Sequence, residues 1–144
     1  MVEVQIQYEG ELRCTAKHGP SGCVISTDAP TDNHGKGESF SPTDLVATAL
    51  GSCVATIMAI SANKHGIDLK GTRITVEKHM STDAPRRISR LPVLIEVPFD
   101  IDESKKQSIE NAARHCPVHQ TLAESVDAPL EFRYPSDSFL LKYT

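Results

Sequence analysis

Val2, Val4, Ile6 and Tyr8 alternate with Glu3, Gln5 and Gln7, the two-residue period of a strand with one face against a core. Glu9-Gly10 can turn the chain, and Leu12, Cys14 and Ala16 then alternate with Arg13, Thr15 and Lys17, so the opening reads as a hairpin. A third short strand is expected from Gly22 to Thr27. Residues 28–39, rich in Asp, Pro, Asn and Gly, read as a loop. The period then changes. Ser41 can cap a helix, Pro42 suits its first position, and Asp44 sets a carboxylate near the positive helix end. No charge occurs between Asp44 and Lys64, and Leu45, Val46, Ala49, Leu50, Cys53, Val54, Ile57, Met58 and Ile60 cover most of the circumference. This helix, closing at His65-Gly66, is expected to be covered on nearly every side.

Two longer strands follow, one with Ile74 and Val76 on a face, the other with Leu91, Val93, Ile95, Val97 and Phe99. A second helix is expected from Asp102 to His115, with Ile109, Ala112, Ala113 and Cys116 on one stripe. Pro117 breaks it and starts a short helix through Val118, Leu122 and Ala123. Leu130 to Tyr134 reads as a last strand. The class is therefore α+β, with antiparallel strands packed around a long helix in a single domain, 1–144. One small sheet covers one side of that helix only. A second copy of the chain is expected to supply the rest, as an obligate homodimer.

Composition narrows the function. The uncharged helix is near the minimum length for a membrane span, but Thr48, Gly51, Ser52, Thr56, Ser61 and Asn63 make it too polar, so no membrane partner is expected. At 144 residues, 39% apolar and 24% charged, the chain has material for one core. A net charge of −4, with basic residues in no dominant run, argues against nucleic acid. The opening residues lack the regions of a signal peptide, so a cytoplasmic protein is expected. In a reducing compartment its four cysteines are more readily buried, catalytic or metal-bound than joined in standing disulfides.

Two of those cysteines stand out. Cys53 lies mid-helix on an apolar stripe and, taken alone, reads as a small core residue. Cys116 stands between His115 and Pro117, at the start of a helix, where partial positive charge favours thiolate over thiol; protonated His115 or His119 would add to this. Each lies on the buried stripe of its own helix, which suggests a redox pair. Peroxide reduction needs a thiolate to attack the O–O bond and a second thiol to resolve the sulfenic acid. Cys14 and Cys23 read as structural. A metal site is the alternative chemistry, with His115, Cys116 and His119 as ligands close together and Cys14, His18 and Cys23 to complete the shell, although paired Cys-x-x-Cys spacing is absent. A further alternative is a small-molecule-binding or stress-sensing dimer with non-catalytic thiols.

Ser41-Pro42-Thr43-Asp44-Leu45, Ala49-Leu50-Gly51-Ser52-Cys53 and Cys116-Pro117-Val118-His119 together resemble the OsmC/Ohr family of thiol-dependent hydroperoxide reductases. The resemblance spans about residues 38 to 134 and extends more weakly into the N-terminal hairpin. It implies an intertwined homodimer with the long helix at its centre, no cofactor, Cys53 as the peroxide-attacking sulfur and Cys116 as the resolving one. It also implies organic hydroperoxides as substrates and a dithiol such as a lipoyl group as reductant. Two departures stand out. The family's active-site glutamate falls on Thr43, with Asp44 beside it, and its N-terminal arginine falls near Lys17 and His18. These resemble a branch carrying motifs such as Pro85-Arg86-Arg87-Ile88. Thr43, Asp44, Lys17, His18, Arg86 and His119 are the candidates to support the thiols.

Overall fold

The computed structural model describes residues 1–137, and its packing divides the chain into two compact units, 1–46 and 47 onward. The first unit is a three-stranded antiparallel sheet in the order β1 (Val4–Gly10), β2 (Arg13–His18), β3 (Val24–Asp28). The hairpin turns two residues later than the sequence suggests. Gly10 has φ 88°, and Glu11 and Leu12, at φ 50° and 63°, form the tight connection, whose positive φ values match the twist of the strands it joins. Asp28, 1% exposed, accepts the Glu38 amide at 3.0 Å, the largest influence holding its carboxyl below the ordinary range. Arg13 pairs with Glu38 and with Asp28, tying the 29–40 loop to β2.

That loop ends in a reciprocal helix cap. Ser41 Oγ accepts the Asp44 amide at 3.1 Å, and Asp44 Oδ2 accepts the Ser41 amide at 2.8 Å, so two groups that the helix start leaves orphaned satisfy each other. The helix α1 (Pro42–Asn63) runs from there into the second unit. One face is buried through Ala47, Leu50, Gly51, Val54, Met58, Ser61 and Ala62, whereas Thr48, Ala49, Ser52, Thr56 and Ile60 stay exposed. The expected cover on nearly every side is therefore only half supplied by the described residues. By length and composition alone α1 could cross a bilayer.

In the second unit α1 lies against β4 (Arg73–Val76). Gly51 permits this, because a Cβ there would stand 3.0 Å from Val76 Cγ2 and 3.5 Å from Ile74 Cγ2. Two very short strands, β5 (His79–Met80) and β6 (Ile88–Arg90), pair with each other; they are too brief for periodicity to announce. β7 (Val93–Glu96) is central in the order β4-β7-β8, with β8 being Leu130–Arg133. β4 and β7 are antiparallel as expected, but β7 and β8 are parallel, with Ile95 opposite Phe132. The helices α2 (Glu103–Arg114) and α3 (Pro117–Thr121) lie between them and return the chain to the same end of the sheet, as a parallel pair requires. Leu50, Val54, Met58, Leu91, Val93, Ile95, Ile109 and Ala113 form the core, each at most 1% exposed. Beside it, the buried Tyr134 hydroxyl donates to Glu110 at 3.1 Å.

Candidate active site

The α1 face that carries Leu50 and Val54 into the core leaves Cys53 on its shoulder, half-buried. Cys116 comes from the junction of α2 and α3 and is fully buried. The two thiols, remote in sequence, lie within hydrogen-bonding reach of each other, and both are free.

Cys116 is the N-cap of α3, as Cys-Pro predicts, and its Sγ accepts the His119 amide at 3.3 Å. The expected thiolate does not follow. Burial is the largest influence and pushes the Cys116 thiol up; the His119 amide opposes it, while the adjacent Cys53 adds to it. Desolvation outweighs the His119 and Val118 amides because burial takes away the water that an anion needs. Cys116 is thus a protonated thiol at neutral pH, stationed behind a more accessible sulfur.

The histidines around the pair are otherwise engaged. His119 Nε2 donates to Ala128 O at 3.0 Å, and His115 Nδ1 donates to Asn111 O at 2.7 Å. No group of three or more His, Cys, Asp or Glu among the described residues is arranged to hold a metal. In the first unit, Thr43 Oγ1 and Asp44 Oδ2 are bonded to Ser41, as part of the helix cap. Lys17 and His18 end β2 on exposed positions, and His18 Nδ1 lies 2.6 Å from Ser21 Oγ. Cys14 is half-buried on β2, but Cys23 is exposed just before β3, which corrects its reading as a packed structural residue. Arg86 is exposed in the β5–β6 connection.

A groove of about 400 Å³ lies between α1 and α2, lined by neither cysteine. Ile57, one helical turn beyond Cys53, and His115, next to Cys116, mark its near end, and Lys64 lies at its far end. Sequence pattern alone points to no such groove, because Ile57, Ile60 and Lys64 read only as parts of an apolar helix and its terminus.

No curated protein matches this chain. Among solved structures, a Psychrobacter arcticus protein, named as a candidate osmotic-stress-induced and detoxification-response protein, is 40% identical with a TM-score of 0.87, covering 92% of this chain and 96% of its own. An organic hydroperoxide resistance protein of Legionella pneumophila shares the fold at 14% identity and TM-score 0.74, again covering 92% and 96%. One from Elizabethkingia anophelis does so at 14% and 0.75, covering 93% and 96%. The model of the OsmC-like protein family matches residues 35–131, which hold α1, α2 and both Cys53 and Cys116. By that match, and by the identity with the Psychrobacter protein, the chain belongs to the OsmC-like family.

Proposed function

We propose that the protein is a thiol peroxidase that reduces organic hydroperoxides in protection against oxidative stress, with Cys53 attacking and Cys116 resolving. The observation that carries this reading is the asymmetry of the pair: a half-buried Cys53 beside a fully buried, protonated Cys116 within bonding reach. The Cys53 thiolate attacks the distal peroxide oxygen. The O–O bond breaks, the alcohol leaves after taking a proton, and Cys53 becomes a sulfenic acid. The Cys116 thiol then displaces water from that sulfur, forming the Cys53–Cys116 disulfide, so the two electrons come one from each cysteine. A dithiol reductant of the lipoyl type restores both thiols by exchange. Support from relatives is at the level of the family and of fold neighbours named for organic hydroperoxide resistance.

Treatment with one equivalent of cumene hydroperoxide should remove two hydrogens from the intact mass and link the Cys53 and Cys116 peptides. Cys53→Ser should abolish consumption, and Cys116→Ser should leave a trappable sulfenic acid on Cys53. Full activity of Cys53→Ser would overturn the assignment.

The working unit on this reading is a homodimer. The outward side of α1, with Thr48, Ala49, Ser52 and Thr56, carries no charge, and the first unit's sheet exposes Val4, Ile6, Tyr8, Val24 and Ile25 at 46–65%. So many exposed apolar side chains in a small chain favour a second copy as their cover. Sedimentation at low micromolar concentration should show a dimer; a folded monomer there would refute it.

A further inference from the structure

Cys116 meets its partner sulfur from the start of α3, a helix of five residues, and the His119 side chain ties that helix to the sheet. The chain leading into β8 runs beside β7: the Leu91 amide donates to Asp127 O at 2.8 Å, and the Val93 amide to Pro129 O at 2.9 Å. Carbonyls alternate in direction along an extended chain, so Ala128 O, between these two, faces away from β7. His119 Nε2 donates to it at 3.0 Å. The amide of the same residue donates to Cys116 Sγ at 3.3 Å. His119 thus holds the sheet edge with its ring and the resolving sulfur with its backbone. Burial pushes the Cys116 thiol up, and the His119 amide is the largest of the influences that oppose the rise. An amide donor stabilises sulfur most as negative charge builds on it, which is what attack by Cys116 requires.

We infer that His119 is a positioning residue for the second chemical step: its imidazole, anchored on Ala128 O, fixes the first turn of α3 so that its own amide faces Cys116 Sγ while that sulfur attacks the Cys53 sulfenic acid. In that step the S–S bond forms, the Cys53 S–O bond breaks, and the Cys116 thiol proton leaves with the hydroxyl as water. Peroxide attack at Cys53 comes earlier and draws on neither hydrogen bond. His119 therefore also decides a competition. A sulfenic acid that waits for Cys116 is open to a second hydroperoxide, which oxidises it to a sulfinic acid and departs as the alcohol.

This inference rests on the proposed peroxidase and deepens it, so two assays on the full chain separate their failures. In the first, wild type, His119→Ala and His119→Gln react with cumene hydroperoxide, and the sulfenic acid and the disulfide are timed by quenching with a sulfenic-acid trap. His119→Ala should form sulfenic acid at the wild-type rate but convert it to disulfide about two- to tenfold more slowly, the rate equivalent of one ordinary hydrogen bond. In excess peroxide it should accumulate sulfinic acid on Cys53. His119→Gln keeps an N–H donor on the side chain and should recover most of the resolution rate. A general loss of structure would slow both steps together. An unchanged resolution rate in His119→Ala, an equal loss in both steps, or no recovery in His119→Gln would overturn the inference. The second assay needs no peroxide. In a Cys53→Ser background, the ultraviolet absorbance of the Cys116 thiolate should appear at higher pH with His119→Ala than with His119 in place, and superimposed titrations would also overturn the inference. A wild type left reduced by the hydroperoxide, while the two titrations differ, would defeat the peroxidase reading alone.

Discussion

Gly51→Ala tests whether the close seating of α1 on β4 holds Cys53 where Cys116 can meet it. Two effects oppose each other. Alanine in a helix interior is favoured over glycine by about 1 kcal/mol. Against this, the new Cβ would stand 3.0 Å from Val76 Cγ2, on a buried face and against a side chain that is stiff about χ1. Overpacking of this kind costs about 1–3 kcal/mol, so the net effect should be a loss of up to about 2 kcal/mol. Val76→Ala removes the opposing methyl. In that background Gly51→Ala should become stabilising by about 1 kcal/mol, giving a coupling of about 1–3 kcal/mol between the sites. Denaturant unfolding of the four proteins at one fixed concentration measures the cycle, the concentration being held because association would shift apparent stability. The rate of peroxide-driven disulfide formation, followed in parallel, should fall in Gly51→Ala and recover in the double variant. If Gly51→Ala changes stability equally in both backgrounds, the close approach does not control the helix position and the reasoning is refuted.

Ser41→Ala should cost about 1 kcal/mol, because it deletes the hydroxyl that accepts the Asp44 amide; an unchanged urea midpoint would deny the cap. The Cys116 thiol is pushed above its ordinary value of 9.0, so its contribution to stability is complete below that pH and is lost as pH rises toward the raised value. Cys116→Ala should therefore flatten the alkaline fall in stability beyond about pH 9, and an identical slope in variant and wild type would contradict the burial effect. Dihydrolipoamide should recycle the oxidised protein faster than glutathione at equal thiol concentration, since the second thiol completes the exchange within the mixed disulfide. Equal rates, with peroxide attack shown not to limit them, would count against a dithiol partner.

Local pattern was enough to determine most elements. The limits of α1 follow from Ser41, Pro42 and Asp44 at one end and His65-Gly66 at the other, and its structure spans Pro42–Asn63. Pro117 likewise marks the break between α2 and α3, and strand alternation located β1, β2, β4, β7 and β8. These signals are legible because caps, proline and periodicity act over a few residues. The motifs around Cys53 and Cys116 also carried the family resemblance. Other features depend on contacts that no short window contains. The parallel pairing of β7 with β8 is set by the crossover through α2 and α3, and the late hairpin turn by the register of β1 on β2. The nearness of Cys53 to Cys116 arises from how α1 and the α2–α3 junction pack. The sign of the Cys116 shift is tertiary as well: a helix N-terminus argues for thiolate, but burial among core side chains removes the water that an anion needs, and that loss is larger. The groove ending at Lys64 exists only once α1 and α2 stand side by side, since a cleft is a property of two surfaces and neither helix encodes it alone.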